Sequence, residues 1–323
     1  MTLFDDNPQP PPPQPGPNGS ATDDGQQPST PSDVEPTGQE PTLVPSPMPD
    51  LPQIAATEAP PFPTSPLRVY PPDLQITWSW PHLIIFALFG FISLVVVQAV
   101  LASYLLPRRH LGTKELQSYL LSNPKFSIGS MLIWYALLFF FLYVTLSVLR
   151  GHSFWNCLGW RKIQPKLGEL PRNPLIYFGA GCGLSLFVAI VSSRMKTPEN
   201  IPIEEIFRYR HTALLFMAMA VLVAPLVEET LFRGYLYPLF ARSFGIAPGI
   251  VVTGVLFGLM HGAQLGWTWA LVATLIFVGI VFTLVRARTG SVLASYLMHL
   301  GYNSLISFFA ILGTHGFTKL PSH

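Results

Sequence analysis

Seven stretches of this chain are apolar for about twenty residues each, and that property decides what it can fold into. They run at about 82–106, 128–149, 174–193, 212–237, 246–263, 267–286 and 291–312. A hydrocarbon core about 30 Å thick takes roughly 20 apolar residues as a helix. Within lipid every backbone N–H and C=O must be bonded inside the protein, so lipid-exposed runs of this length are helical. The pattern predicts an all-α fold, a polytopic membrane helix bundle of about seven (six to eight) transmembrane helices. Breaks in the pattern agree with these limits. Pro107 and two arginines end the first run, Asn173-Pro174 opens the third, and Arg288-Thr289-Gly290 separates the last two. The tryptophans fall mostly near run ends, where interfacial aromatics belong. The link Gly262–Gly266 is short and uncharged, so the fifth or sixth run is expected to be partly re-entrant.

The first 76 residues are of another kind. They hold ten acidic residues against one arginine, Arg68, for a net charge of −9, whereas the whole chain is +2. Rich in Pro, Gly, Ser and Asp, this segment has too little apolar surface to offset the entropy of ordering. It is read as a disordered N-terminal tail with polyproline II character, an acidic tether. Its first residues lack the basic and apolar regions of a secretory signal, so the first apolar run is expected to act as an uncleaved anchor. Cys157 and Cys182 offer neither a disulfide framework nor a metal knuckle. No nucleotide-binding glycine pattern is present, and no nucleic-acid partner is expected. Lys and Arg counted on alternate sides of the membrane tie, so the positive-inside rule gives no orientation.

Acidic residues are scarce beyond the tail. After Asp73 there is no aspartate and there are seven glutamates. Glu115, Glu169, Glu199, Glu204 and Glu205 fall in expected loops; Glu228 and Glu229 are adjacent inside the fourth apolar run. A carboxylate at membrane depth is costly unless paired, protonated or hydrated, which makes the doublet a functional candidate. On a helix Glu229 and Arg233 share a face in the favourable order, while Glu228 points about 100° away. Arg233 reads as the one basic residue within a span. Phe257 and His261 share a face of the fifth run, and His299 and Asn303 share a face of the seventh.

Singly, these are a buried ion pair, a satisfied core histidine and an interhelical hydrogen-bonding pair. Together they put a carboxylate pair, two imidazoles and a carboxamide on three helices. That set suffices to activate water and to stabilise an oxyanion. Tyr235 and Tyr302 either add a hydroxyl nearby or make ordinary helix contacts.

At these residues the chain resembles the CPBP family of intramembrane proteases, the CAAX prenyl protease and bacteriocin-processing (Abi-like) group. The resemblance rests on Glu-Glu-x-x-x-Arg at 228–233, Phe-x-x-x-His at 257–261 and His-x-x-x-Asn at 299–303, in the family's order on separate runs. The segment Cys157-Leu-Gly-Trp-Arg-Lys also looks like a basic segment of bacterial members. Composition and apolar runs divide the chain into the tail 1–76, which is no part of the family pattern, N-terminal transmembrane helices and basic loops at 77–210, and a catalytic core at 211–315; the resemblance covers that last region, about 212–312. It implies that Glu228 and His261 activate water, that His299 and Asn303 form the oxyanion site, and that Glu229, Arg233 and Phe257 support them. The implied substrates are membrane-associated proteins or peptides, in eukaryotic members prenylated CAAX proteins. The implied location is multi-pass in a membrane, here a bacterial cell membrane.

The family is described both as metalloproteases and as metal-free glutamate enzymes. Zinc on Glu228, His261 and His299 would leave a position for water. There is no His-Glu-x-x-His, and Asn303 is a poor zinc ligand, so the metal-free reading with no cofactor is preferred. Two other functions use the same residues: a proton-relay transporter, and a catalytically silent scaffold of the same fold.

Overall fold

Helix α1, Trp80–Leu105, is apolar on every side, and Ile84, Leu88, Phe91 and Val95 are all exposed. A helix with that surface faces lipid rather than water. The structure is a computed structural model. It describes residues 70–105, 123–163, 171–195 and 210–317, all within one unit, Ser65–His323. The tail to residue 69 and the loops carrying Glu115, Glu169, Glu199, Glu204 and Glu205 lie outside the described residues.

Beyond α1 the helices are α2 (Pro124–Leu142), α3 (Phe154–Cys157), α4 (Pro174–Ser192), α5 (Arg210–Leu222), α6 (Ala224–Glu229), α7 (Tyr237–Phe244), α8 (Ile246–Met260), α9 (Trp269–Thr289) and α10 (Val292–Gly313). Two π-helical turns extend them: Tyr143–Val148 after α2 and Thr230–Leu236 between α6 and α7. Among the described residues there is no strand, and six helical runs are long and apolar enough to cross a membrane. The chain is therefore the expected all-α, multi-pass bundle. The run Arg210–Phe244 is the most enclosed of the six, with 50% of its apolar stretch buried against 17% for that of α1. It forms the centre.

Helix α8 is the exception the short link hints at. Its 15 residues extend about 22 Å, less than the hydrocarbon thickness. It packs antiparallel on α9 through two glycines. A Cβ on Gly254 would lie 2.6 Å from the Ile280 nitrogen, and one on Gly258 would lie 2.6 Å from the Ile276 nitrogen. The pair α4 and α10 closes in the same way, with Gly181 against the backbone of Met298 and Gly301 against the backbone of Phe178. Small residues of this kind let membrane helices approach backbone to backbone. Helices α1 and α2 are tied instead by Trp134, whose Nε1–H donates to the Gly90 carbonyl at 2.8 Å.

Two expectations are corrected here. Residues 70–76, expected to belong to the disordered tail, are ordered. Pro72–Leu74 form a 3-10 turn, Leu74 is buried, and the Tyr70 ring stacks under the Arg242 guanidinium at 4.8 Å. Nor is Arg233 the one basic residue within a span. Arg286 lies inside α9, fully buried, and bonds Asp73 through Nη1 at 3.1 Å. The apolar residues of 70–76 and this ion pair give the segment enough to fold against.

Candidate active site

The doublet sits where the central run stops being a regular helix. Pro225 has no N–H to give the carbonyl four residues back, and the helix is interrupted at Val223. After Glu229 the chain widens into the π turn Thr230–Leu236, a geometry that recurs at functional sites. Both glutamates are buried, at 8% and 0% exposure.

Arg233 anchors the second glutamate. Its Nη1 donates to Glu229 Oε1 at 2.9 Å, Nη2 to the Gly279 carbonyl at 2.8 Å and Nε to Thr283 Oγ1 at 3.2 Å. The Phe257 ring caps the guanidinium at 4.5 Å. In a dry site such a cation–π contact adds to the ion pair. Gly279 also lets α8 come close to α9, because a Cβ there would lie 2.8 Å from the Gly254 carbonyl.

The two imidazoles are oriented by their Nδ1 atoms. His261 Nδ1 lies 2.8 Å from the Phe257 carbonyl, which can only accept, so Nδ1 carries the proton. His299 Nδ1 lies 3.0 Å from Glu229 Oε1, a carboxylate oxygen already paired with Arg233, so it donates as well. These partners assign the Nδ1 protons: a neutral ring then has a bare Nε2, and a ring that gains a second proton presents an Nε2–H. Both Nε2 atoms face Glu228. His261 Nε2 is 3.9 Å from Oε1, and His299 Nε2 is 3.8 Å from Oε2. The gaps exceed a direct hydrogen bond and suit a bridging water. The His261 side chain is 19% exposed and that of Glu228 10%, so this corner is the less enclosed side of the constellation.

Asn303 stands one turn beyond His299 on α10. Its Nδ2 donates to the Ala220 carbonyl at 2.7 Å, just before the break at Val223. One of its two N–H groups thus ties α10 to the interrupted helix. Tyr235 and Tyr302 make helix contacts. The Tyr235 hydroxyl lies 2.7 Å from His82 Nδ1, and the Tyr302 ring packs edge-on against Phe282. His82 is buried like His299, whereas His261 is only partly buried.

Zinc would need three donors about 2.0–2.2 Å from one point, hence about 3.4 Å apart. Among the described residues no group of three His, Cys, Asp or Glu side chains is placed to hold a metal ion. The gaps around Glu228 are wider than that edge. As they stand, Glu228, His261 and His299 do not fit a metal.

Sequence reasoning missed Thr283 and the Gly279 carbonyl, because nothing in a sequence says which helix Arg233 will face. It also left Trp160 among the interfacial aromatics, although its Nε1–H donates to Thr230 Oγ1 at 3.1 Å, next to the doublet.

The matched region is the same part of the chain. Residues 210–305 match the family model of type II CAAX prenyl endopeptidases, Rce1-like. Over this region the chain is similar to the CPBP intramembrane proteases. The match covers α5 to most of α10, the elements that carry every residue of the constellation, and leaves α1–α4 outside. It supports an intramembrane CAAX-type endopeptidase in general terms. Neither the curated proteins nor the solved structures gave a match.

Proposed function

We propose that this protein is an intramembrane endopeptidase that hydrolyses a peptide bond of a membrane-associated substrate with water activated by Glu228 and His261. The observation that carries this reading is the position of Glu228, its two oxygens turned to two imidazole Nε2 atoms at 3.8 and 3.9 Å inside an apolar bundle. A water held between Glu228 and His261 loses a proton to that pair as its oxygen attacks the carbonyl carbon. The carbonyl oxygen becomes an oxyanion. The Nε2–H of a protonated His299 and the second N–H of Asn303 stabilise it. The Glu229 carboxylate holds the His299 ring in place, as a carboxylate orients the histidine of a catalytic triad. The captured proton then passes to the leaving nitrogen as the C–N bond breaks. The donor geometry favours chemistry without a metal.

For the substrate, the resemblance favours prenylated CAAX-type peptides cut after the lipidated cysteine, and for the location a bacterial cell membrane. The test uses the purified full chain in proteoliposomes, given CAAX peptides with and without a prenyl group. Wild type should release the C-terminal tripeptide from the prenylated peptide. Glu228→Gln should slow this by about a hundredfold or more. Wild-type rates in Glu228→Gln would remove the assigned role. A folded wild-type chain that cleaves no membrane peptide would favour the silent scaffold.

A further inference from the structure

The segment Leu158–Arg161 belongs to no span, yet each of its four residues contacts the elements that carry or support the site. Leu158 is fully buried beside Phe232 and Tyr235, and its carbonyl lies against Gly234, where a Cβ would come within 2.6 Å. Gly159 has φ +80°, and a Cβ there would lie 2.9 Å from Arg286 Nη2. Its carbonyl accepts the N–H of Val292, the first residue of α10, at 2.9 Å. Trp160 donates its indole N–H to Thr230, the residue after Glu229. Its ring also lies 5.3 Å from that of Tyr296, three residues before His299. The Arg161 carbonyl accepts Ser291 Oγ–H at 2.6 Å. Two residues on, Ile163 is buried with Met298 and Phe282.

These contacts join two separate apolar cores. One contains Val227 and Leu231, which flank the doublet. The other contains Met298 and Tyr302, which flank His299. Leu158 lies in the first and Ile163 in the second, so the short segment between them bridges the two halves, which the His299–Glu229 bond also joins. Glu228 belongs to one half and His299 to the other.

We infer that Trp160 is a positioning residue: its bond to Thr230, with the grip of Gly159 and Arg161 on the start of α10, holds the Glu228–His299 gap at its working width. The inference rests on the proteolytic reading of the site. It concerns a segment outside the matched region 210–305.

The test is steady-state cleavage by the full chain bearing Trp160→Phe, Thr230→Val, both together, or Glu228→Gln. Misplacement of a catalytic group by a fraction of an ångström to an ångström costs up to about a hundredfold in rate. Each single variant should lose about ten- to a hundredfold in kcat with KM unchanged, because neither side chain is placed to touch substrate. The double variant should fall no further than the deeper single, since both remove the same bond. Thr230→Ser, which keeps the accepting hydroxyl, should restore kcat, and this arm stands even if Trp160→Phe fails to fold. Wild-type kcat in Thr230→Val, losses confined to KM, or losses that multiply in the double variant would overturn the inference. Glu228→Gln separates the two levels. If it cleaves at the wild-type rate, the proteolytic reading itself fails. If it is inactive while Trp160→Phe and Thr230→Val are normal, the positioning role alone fails.

Discussion

A guanidinium at 0% exposure inside a membrane helix must place its whole charge on protein, and Arg233 does so on Glu229, Gly279, Thr283 and the Phe257 face. Removing one partner of a buried pair leaves the other uncompensated, at a cost of about 3–5 kcal/mol. Arg233→Ala should therefore lower the melting temperature of the detergent-purified protein and its abundance in the membrane. An unchanged melting curve would show that Glu229 is held without its arginine. Phe257→Leu removes only the ring face and should cost less, about 1–2 kcal/mol. At this scale much is legible in the sequence. The four-residue spacing alone pairs Glu229 with Arg233, and the scarcity of carboxylates singles out the doublet. Two contacts are not legible. His299 bonds Glu229 and faces Glu228, and Asn303 bonds the Ala220 carbonyl; both depend on how α10 lies against the break at Val223.

At the scale of elements, glycine spacing decides how close the helices come. Gly254 and Gly258, four apart, put the α8 backbone onto Ile280 and Ile276 of α9, and α8 ends where His261 is needed. Gly258→Ala would push a methyl against the Ile276 backbone, which cannot yield as a side chain can. The two helices should separate, with a loss of about 1–3 kcal/mol. Thermal melting in detergent measures this, and a stable Gly258→Ala protein would mean that the hairpin has slack. The loop around α3 offers a chemical probe. Burial pushes the Cys157 thiol up from its ordinary value, and Sγ–H donates to the Phe154 carbonyl at 3.2 Å. The thiolate should therefore be rare at neutral pH, and alkylation of Cys157 should be slow there and accelerate at alkaline pH. Rapid labelling at pH 7 would contradict the packed loop. Helix existence is legible because apolar runs of this length have one solution in lipid. The π turn at Thr230–Leu236 is not, since no residue pattern separates it from an α-helix over seven residues.

Over the whole molecule, the segment before α1 meets the loop after α2, the end of α7 and the end of α9. Arg150 Nη1 donates to the Thr77 carbonyl, Arg242 Nη1 to the Ile76 carbonyl and Trp80 Nε1 to Ser243 Oγ. Residues 70–79 thus run as a strap across helix ends, clasped by Asp73 on Arg286. Asp73→Ala should destabilise the detergent-purified chain by about 3–5 kcal/mol. A melting temperature equal to wild type would show that the strap is held by its apolar contacts alone. The sequence could not announce this strap, because its composition continues that of the acidic tail and its partner Arg286 lies over two hundred residues away. The central claim concerns the constellation as a unit: Glu228 and His261 act on one water. The most direct measurement is single-turnover cleavage by Glu228→Gln, His261→Gln and the double variant, with folding checked by thermal melting. Groups that act together are not additive. Each single substitution should reduce the rate about as far as both together. Losses that multiply, or a single variant that keeps the wild-type rate, would contradict the shared role.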